Sequence, residues 1–172
     1  MSRWSEYYKS RVGESYPEYV IKRYETFLKE LVSYSHIREE GCGIGSISKA
    51  ITMIGCLAKI DCFDIDKDQV ELAKLNLNSN KPYVGDIFKN HGKVDLIFSH
   101  GVLEHFNDNQ IKEILNRQKS EANKVVHYIP SNKYKTQSFG DERLLSKDYW
   151  RDVFKPKEII EFNEGFDLVA IW

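Results

Sequence analysis

Apolar residues fall three and four apart at Tyr16, Val20, Tyr24, Phe27, Leu28 and Leu31, so the spacing predicts an amphipathic helix over 16–34. Pro17 suits its first turn, where a missing N–H costs no hydrogen bond. Segment 35–39 then reads as a strand running into a glycine-rich loop, and Ile47, Ala50, Ile51 and Ile54 mark one face of a helix stopped by Gly55. The alternation repeats. A β-like run over 57–65 precedes a helix carrying Val70, Leu72, Ala73, Leu75 and Leu77. After a brief strand at Tyr83 and Val84 come a strand over 94–98, a helix with its stripe at 111–115, and a strand over 124–129 closed by Pro130. A helix over 147–163 and a strand over 166–172 complete the pattern.

Strands that alternate with helices require crossover connections, which make neighbours parallel and cover both faces of the sheet. The expected fold class is α/β, with a doubly wound, mostly parallel sheet in three layers. A length of 172 residues suits a single domain, 1–172, comprising an N-terminal helical cap (1–34), a core (36–130) and an irregular loop (131–146). That loop carries Asn132, Tyr134, Phe139, Asp141 and Arg143, and polar-aromatic loops of this size tend to be functional.

Composition removes several function classes. No stretch is long and apolar enough to span a bilayer, and the first residues lack the basic and apolar regions of a secretory signal, so a cytoplasmic location is expected. Cys42, Cys56 and Cys62 are odd in number and lack C-x-x-C spacing, which argues against a disulfide framework or a zinc knuckle. No metal site is expected, since no H-x-x-x-H or H-E-x-x-H pair occurs. With 25 basic and 26 acidic side chains, no overall field attracts a phosphate backbone.

The chemistry concentrates in Glu39-Glu40-Gly41-Cys42-Gly43-Ile44-Gly45. Alternating glycines remove β-carbons where a strand gives way to a helix, so a ligand can pack on the main chain. Asp64 ends the next strand, 19 residues beyond Gly45, where a carboxylate can take both ribose hydroxyls of an adenosine ligand. A dinucleotide fingerprint fails because its last glycine falls on Ser46 or Ser48, which disfavours NAD. A P-loop fails because Lys49 follows Ser48 instead of glycine.

On these residues the chain resembles the class I (Rossmann-like) S-adenosylmethionine-dependent methyltransferase family, whose acidic residue and E-x-G-x-G-x-G loop match Glu39 to Gly45. The resemblance continues through Cys62-Phe63-Asp64-Ile65-Asp66, Val84-Gly85-Asp86-Ile87 and the segment 94–105. It implies S-adenosyl-L-methionine as cofactor, with Glu39, Gly41, Gly43 and Gly45 at its methionine end, Asp64 and Ile65 at the ribose, and Asp86 and Ile87 at the adenine. Ser99 and His100 would floor the site, and Tyr8 and Arg11, in an aromatic entry segment, would touch the ligand. The implied reaction is in-line methyl transfer to a small-molecule acceptor, with loop 131–146 on the acceptor side. His100, His105 and His127 stand at strand exits as possible general bases, and His105 is the expected catalytic residue.

Alternatives from the same residues are a protein or RNA methyltransferase and a non-catalytic S-adenosylmethionine-binding subunit. Segment 99–102 lacks N-P-P-[YF], and no Pro-Cys pair suits cytosine C5 chemistry, which lowers a nucleic-acid acceptor. Two departures stand out. Arg38 and Glu40 make the first strand unusually polar, with Glu40 expected to face solvent. The last strand in the pattern is the sixth, so the family's seventh, antiparallel strand is expected to be missing, leaving an edge for a partner chain to cover.

Overall fold

The computed structural model describes residues 15–77, 81–138 and 141–172. Its strands are β1 (His36–Glu40), β2 (Lys59–Asp64), β3 (Tyr83–Val84), β4 (Val94–His100), β5 (Ala122–Pro130), β6 (Glu158–Phe162) and β7 (Asp167–Ile171). They form one sheet in the order β3-β2-β1-β4-β5-β7-β6, parallel from β3 to β5, with β7 antiparallel to β5 and β6. The helices are α1 (Ser15–Arg23), α2 (Glu25–Lys29), α3 (Ser46–Met53), α4 (Lys67–Asn76), α5 (Asp108–Glu121) and the single turn α6 (Lys147–Tyr149).

Side chains alternate across the pleat, so each strand feeds two cores. Ile37, Leu96, Phe98, Val126 and Val169 pack with Val20 of α1, Phe27 and Leu28 of α2, and Ile47 and Ile51 of α3. Val125, Ile129, Leu168 and Ala170 pack on the opposite face with Ile111, Ile114 and Leu115 of α5. This is the three-layer, Rossmann-like α/β sheet that the alternation predicts. None of the described helices is long and apolar enough to cross a membrane.

Four expectations are corrected. The helix over 16–34 is two, because the backbone at Tyr24 leaves helical angles (φ −115°, ψ 24°). The helix over 147–163 does not exist as one element. After α6 a single π turn covers Trp150–Phe154, Lys155 takes a left-handed φ of 51°, Pro156 follows, and Glu158–Phe162 is β6. Proline cannot continue a helix, and a ladder to β7 from Glu158↔Ile171 to Phe162↔Asp167 rewards the extended chain. The strand over 166–172 is therefore the seventh, antiparallel one, present between β5 and β6. An edge opened by its absence no longer stands as a reason to expect a partner chain.

The fourth correction concerns β1. Arg38 and Glu40 point away from α3, into the layer beneath α5, and both are fully buried. Arg38 Nε donates to Glu40 Oε1 (3.1 Å) and its Nη2 to Glu121, while Arg117 pairs with Glu40 and, through Nη1, with Glu121 Oε1 (3.0 Å). Gln118 Nε2 donates to Glu40 (2.8 Å), and its amide oxygen meets His127 Nε2 at 3.0 Å. Two guanidinium groups and two carboxylates thus balance in a dry layer. A buried charge needs such partners, and only the docking of α5 supplies them.

Candidate active site

Ligands of open α/β sheets bind beyond the carboxyl ends of the strands, where the strand order reverses. Here the reversal lies between β1 and β4, and a cavity of about 650 Å³ opens there, a ligand-sized volume. Its walls come from the ends of β1, β2, β4 and β5, the loop after β3, α1, and residues of the 131–146 segment.

The glycine loop shapes one wall. Gly41 has φ +72°, and a β-carbon on it would lie 2.6 Å from Val102 Cγ2, so both its backbone angle and its packing demand glycine. Gly43 N–H donates to Asp64 Oδ2 (2.8 Å), and Asp66 N–H donates to Asp64 Oδ1 (2.9 Å), so the β2 carboxylate also sets the loop. Burial pushes the Asp64 carboxyl above its ordinary range against the pull of these donors. Glu39 accepts from the Ser48 hydroxyl and from Ser48 N–H at the start of α3, and burial lifts its pKa to about 8. Cys42 Sγ donates to Gly43 O (3.6 Å), and the neighbouring Cys62 thiol together with burial pushes its own thiol well above the ordinary value.

The cavity brings together Glu39, Gly41, Gly43, Asp64, Ile65, Asp86, Ile87, His100 and His105 of the expected set. Gly45 sits behind the wall, against Leu77. Ser99 does not reach the cavity: it points to the α5 layer, where its Oγ lies 2.6 Å from His127 Nδ1, because alternation along β4 sends Ser99 and His100 to opposite faces. His127 belongs to that buried layer as well. Tyr8 and Arg11 lie outside the described residues.

His100 is enclosed by aromatic rings, stacked on Tyr128 (centroids 4.1 Å apart, 12° between planes) and edge-on to Tyr24 at 4.4 Å. Burial lowers its pKa to about 4, so it is neutral at pH 7. His105 Nδ1 lies 3.2 Å from Asp141 Oδ1, a pairing that orients the imidazole at the cavity wall. Asp167, buried at the head of β7, accepts from the Tyr128 and Tyr134 hydroxyls (2.8 Å each) and pairs with Arg23 at 2.6 Å. It ties α1 and the 131–146 segment to the sheet.

Sequence reasoning missed Asp167, the tyrosine cluster and Glu104. The signal for Glu104 was present in Val102-Leu103-Glu104-His105, where a carboxylate stands among apolar neighbours. The structure leaves it 3% exposed, lining the cavity, with a pKa pushed up to about 8 by burial. Four cavity residues, Ser46, Gln69, His100 and Glu104, each hold a buried polar side-chain atom without a protein partner. Such orphans cost free energy unless a ligand or water meets them.

The sequence matches the methyltransferase domain family over residues 39–128, just over half of the chain, and the chain belongs to that family, among the class I S-adenosylmethionine-dependent methyltransferases. No curated protein matches by sequence. Among solved structures, the chain is similar to the magnesium protoporphyrin IX methyltransferase of Synechocystis PCC 6803 with bound SAH (TM-score 0.64, 13% identity, 90% of this chain and 80% of that one). It is also similar to human N-acetylserotonin methyltransferase in complex with SAM (0.70, 15%, 90% and 52%) and to PH0226 protein from Pyrococcus horikoshii OT3 (0.74, 13%, 96% and 97%). The chain thus spans about half of some of these proteins and nearly all of others.

Proposed function

We propose that the protein transfers a methyl group from S-adenosylmethionine to a small-molecule acceptor by in-line displacement. The observation that carries this reading is one cavity at the strand-order reversal that gathers Glu39, Asp64 and Asp86 with unpartnered buried polar atoms of Ser46, Gln69 and His100. The donors and acceptors fit an adenosyl amino acid: acidic groups at two strand ends suit hydroxyls and an ammonium, and the glycine main chain admits close approach. The sulfonium of the bound cofactor supplies an already activated methyl group.

The chain's own part is therefore to align, enclose and, where the acceptor holds a proton, remove it. Asp64 takes the ribose hydroxyls, Asp86 and Ile87 border the adenine, and Glu39 and the loop hold the methionine end. His105, oriented by Asp141, accepts the acceptor's proton. The 131–146 segment closes the acceptor side, pinned through Tyr134 to Asp167. A small acceptor is favoured because Tyr16, Tyr24 and Tyr134 wall the cavity and leave a ligand-sized space.

Calorimetric titration with S-adenosylmethionine, S-adenosylhomocysteine and NAD tests the reading, using the wild type and Asp64→Ala. Both sulfur compounds should bind, NAD should not, and Asp64→Ala should lose about tenfold or more in affinity, the worth of hydrogen bonds to a charged group. Binding of NAD without either sulfur compound would sink it.

A further inference from the structure

Among the described residues the charge lining the cavity is one-sided. Six carboxylates line it, from Glu39, Asp64, Asp66, Asp86, Glu104 and Glu142, and among the described residues no lysine or arginine does. Several of the six are engaged by the fold: Glu39 by Ser48, Asp64 by two N–H groups, Asp66 as the cap of α4, and Asp86 by Phe88 N–H at 2.9 Å. Glu104 is different. Its Oε2 is buried without a partner, and a β-carbon on Gly101 would lie only 3.3 Å from its Oε1, so the carboxyl sits at the exit of β4. The nearby guanidinium of Arg143 is committed elsewhere, to Phe106 O and Asp108 at 2.7 Å each. Glu142 and Asp141 add negative charge beside Glu104.

We propose that the methyl acceptor carries an amine, and that Glu104, with Glu142 beside it, holds that group as an ammonium ion at the acceptor end of the cavity. The inference rests on the methyltransferase reading and adds the acceptor's class. An unpaired buried carboxylate surrounded by like charge is satisfied by a cation, and the tyrosine walls favour an organic one. Beside Glu104, Glu142 and Asp141 a phosphate or carboxylate group would meet like charge, so a nucleic-acid backbone is a poor occupant of this end of the cavity. Burial holds the Glu104 carboxyl protonated at pH 7, with a pKa of about 8, so ammonium binding must expel its proton to solvent. The exchange balances: a neutral carboxyl and a cation become an ion pair plus one released proton.

The test uses the protein saturated with S-adenosylhomocysteine and three matched probes: phenethylamine, phenethyl alcohol and 3-phenylpropionate. The amine should bind about tenfold or more tightly than either of the others, the worth of one charge-assisted hydrogen bond. Titration in two buffers of different ionisation enthalpy should show release of about one proton per amine bound. In Glu104→Gln the amine preference and the proton release should both vanish while S-adenosylhomocysteine affinity is kept, which also reports that the variant folds. Glu142→Gln should weaken the amine preference in part. Propionate binding equal to the amine, millimolar amine that fails to bind, or a preference that survives Glu104→Gln would each overturn the inference. Failure of S-adenosylhomocysteine itself to bind would instead overturn the methyltransferase reading.

Discussion

Neutralising Glu40 by Glu40→Gln should destabilise the fold while conserving its shape. Glu40 is fully buried and accepts from Arg38 at 3.1 Å, from Arg117, and from Gln118 at 2.8 Å. Glutamine leaves Arg38 and Arg117 facing Glu121 alone, so the layer under α5 holds one uncompensated positive charge. Breaking a buried pair in this way costs about 3–5 kcal/mol, a large part of the roughly 5–15 kcal/mol that holds a domain together. For a chain of this length that corresponds to a fall in Tm of about 6–20 °C. Urea unfolding followed by circular dichroism should show a lower midpoint with an unchanged slope. The double variant Glu40→Leu/Arg117→Leu, which removes one charge of each sign, should recover much of the loss. A cost below about 1 kcal/mol, or no recovery in the double variant, would refute the claim that these charges are dry and mutually dependent.

Gly41→Ala should weaken S-adenosylhomocysteine binding and cost about 1–2 kcal/mol for its left-handed backbone plus the clash with Val102; Gly41→Ala/Val102→Ala should regain only the clash part, as read by thermal unfolding. His105→Ala should lower kcat about 10²-fold or more with S-adenosylmethionine affinity unchanged, if the acceptor must lose a proton, measured by radiolabelled methyl transfer. Stability should fall as pH rises from about 6.5 to 8, above the range in which the unfolded forms of His100 and His127 take up protons that the buried native rings, with pKa values of about 4 and 3, refuse. Glu104 and Glu39 have folded pKa values near 8, above their unfolded values, so the native state holds the extra protons in that window and loses this advantage above it. Glu104→Gln should flatten the decline in chemical unfolding across that range. Asp167→Asn should loosen the 131–146 segment, seen as faster hydrogen exchange around Tyr134 with the sheet core unaffected.

Local patterns made much of this protein legible. The short apolar runs of segments such as 94–98, the 3.6-residue stripe of α3 and the glycines at 41, 43 and 45 are each set by neighbours within a few residues, so the parallel order of elements and the glycine loop followed from the chain alone. Asp64 could be placed at a strand end for the same reason, whereas Asp86, in the loop after β3, was pointed to only by the family resemblance. Segment 147–163 was misread because its apolar residues suit either period, and Pro156 was the one local sign of a break.

What the sequence could not decide is everything settled by distant partners. Glu40 reads as a solvent residue until α5, some 77 positions later, brings Arg117 against it. Ser99 and His100 are adjacent in the chain yet serve opposite layers, because sheet pairing fixes which face each one meets. Glu104 is marked in the chain only as a carboxylate among apolar neighbours, and only the packed walls around it leave that carboxyl buried, protonated and unpartnered. Local periodicity determined the elements and their order. Desolvation and long-range pairing, which exist only once the chain is packed, decided which charged side chains hold the fold together and which remain for a ligand.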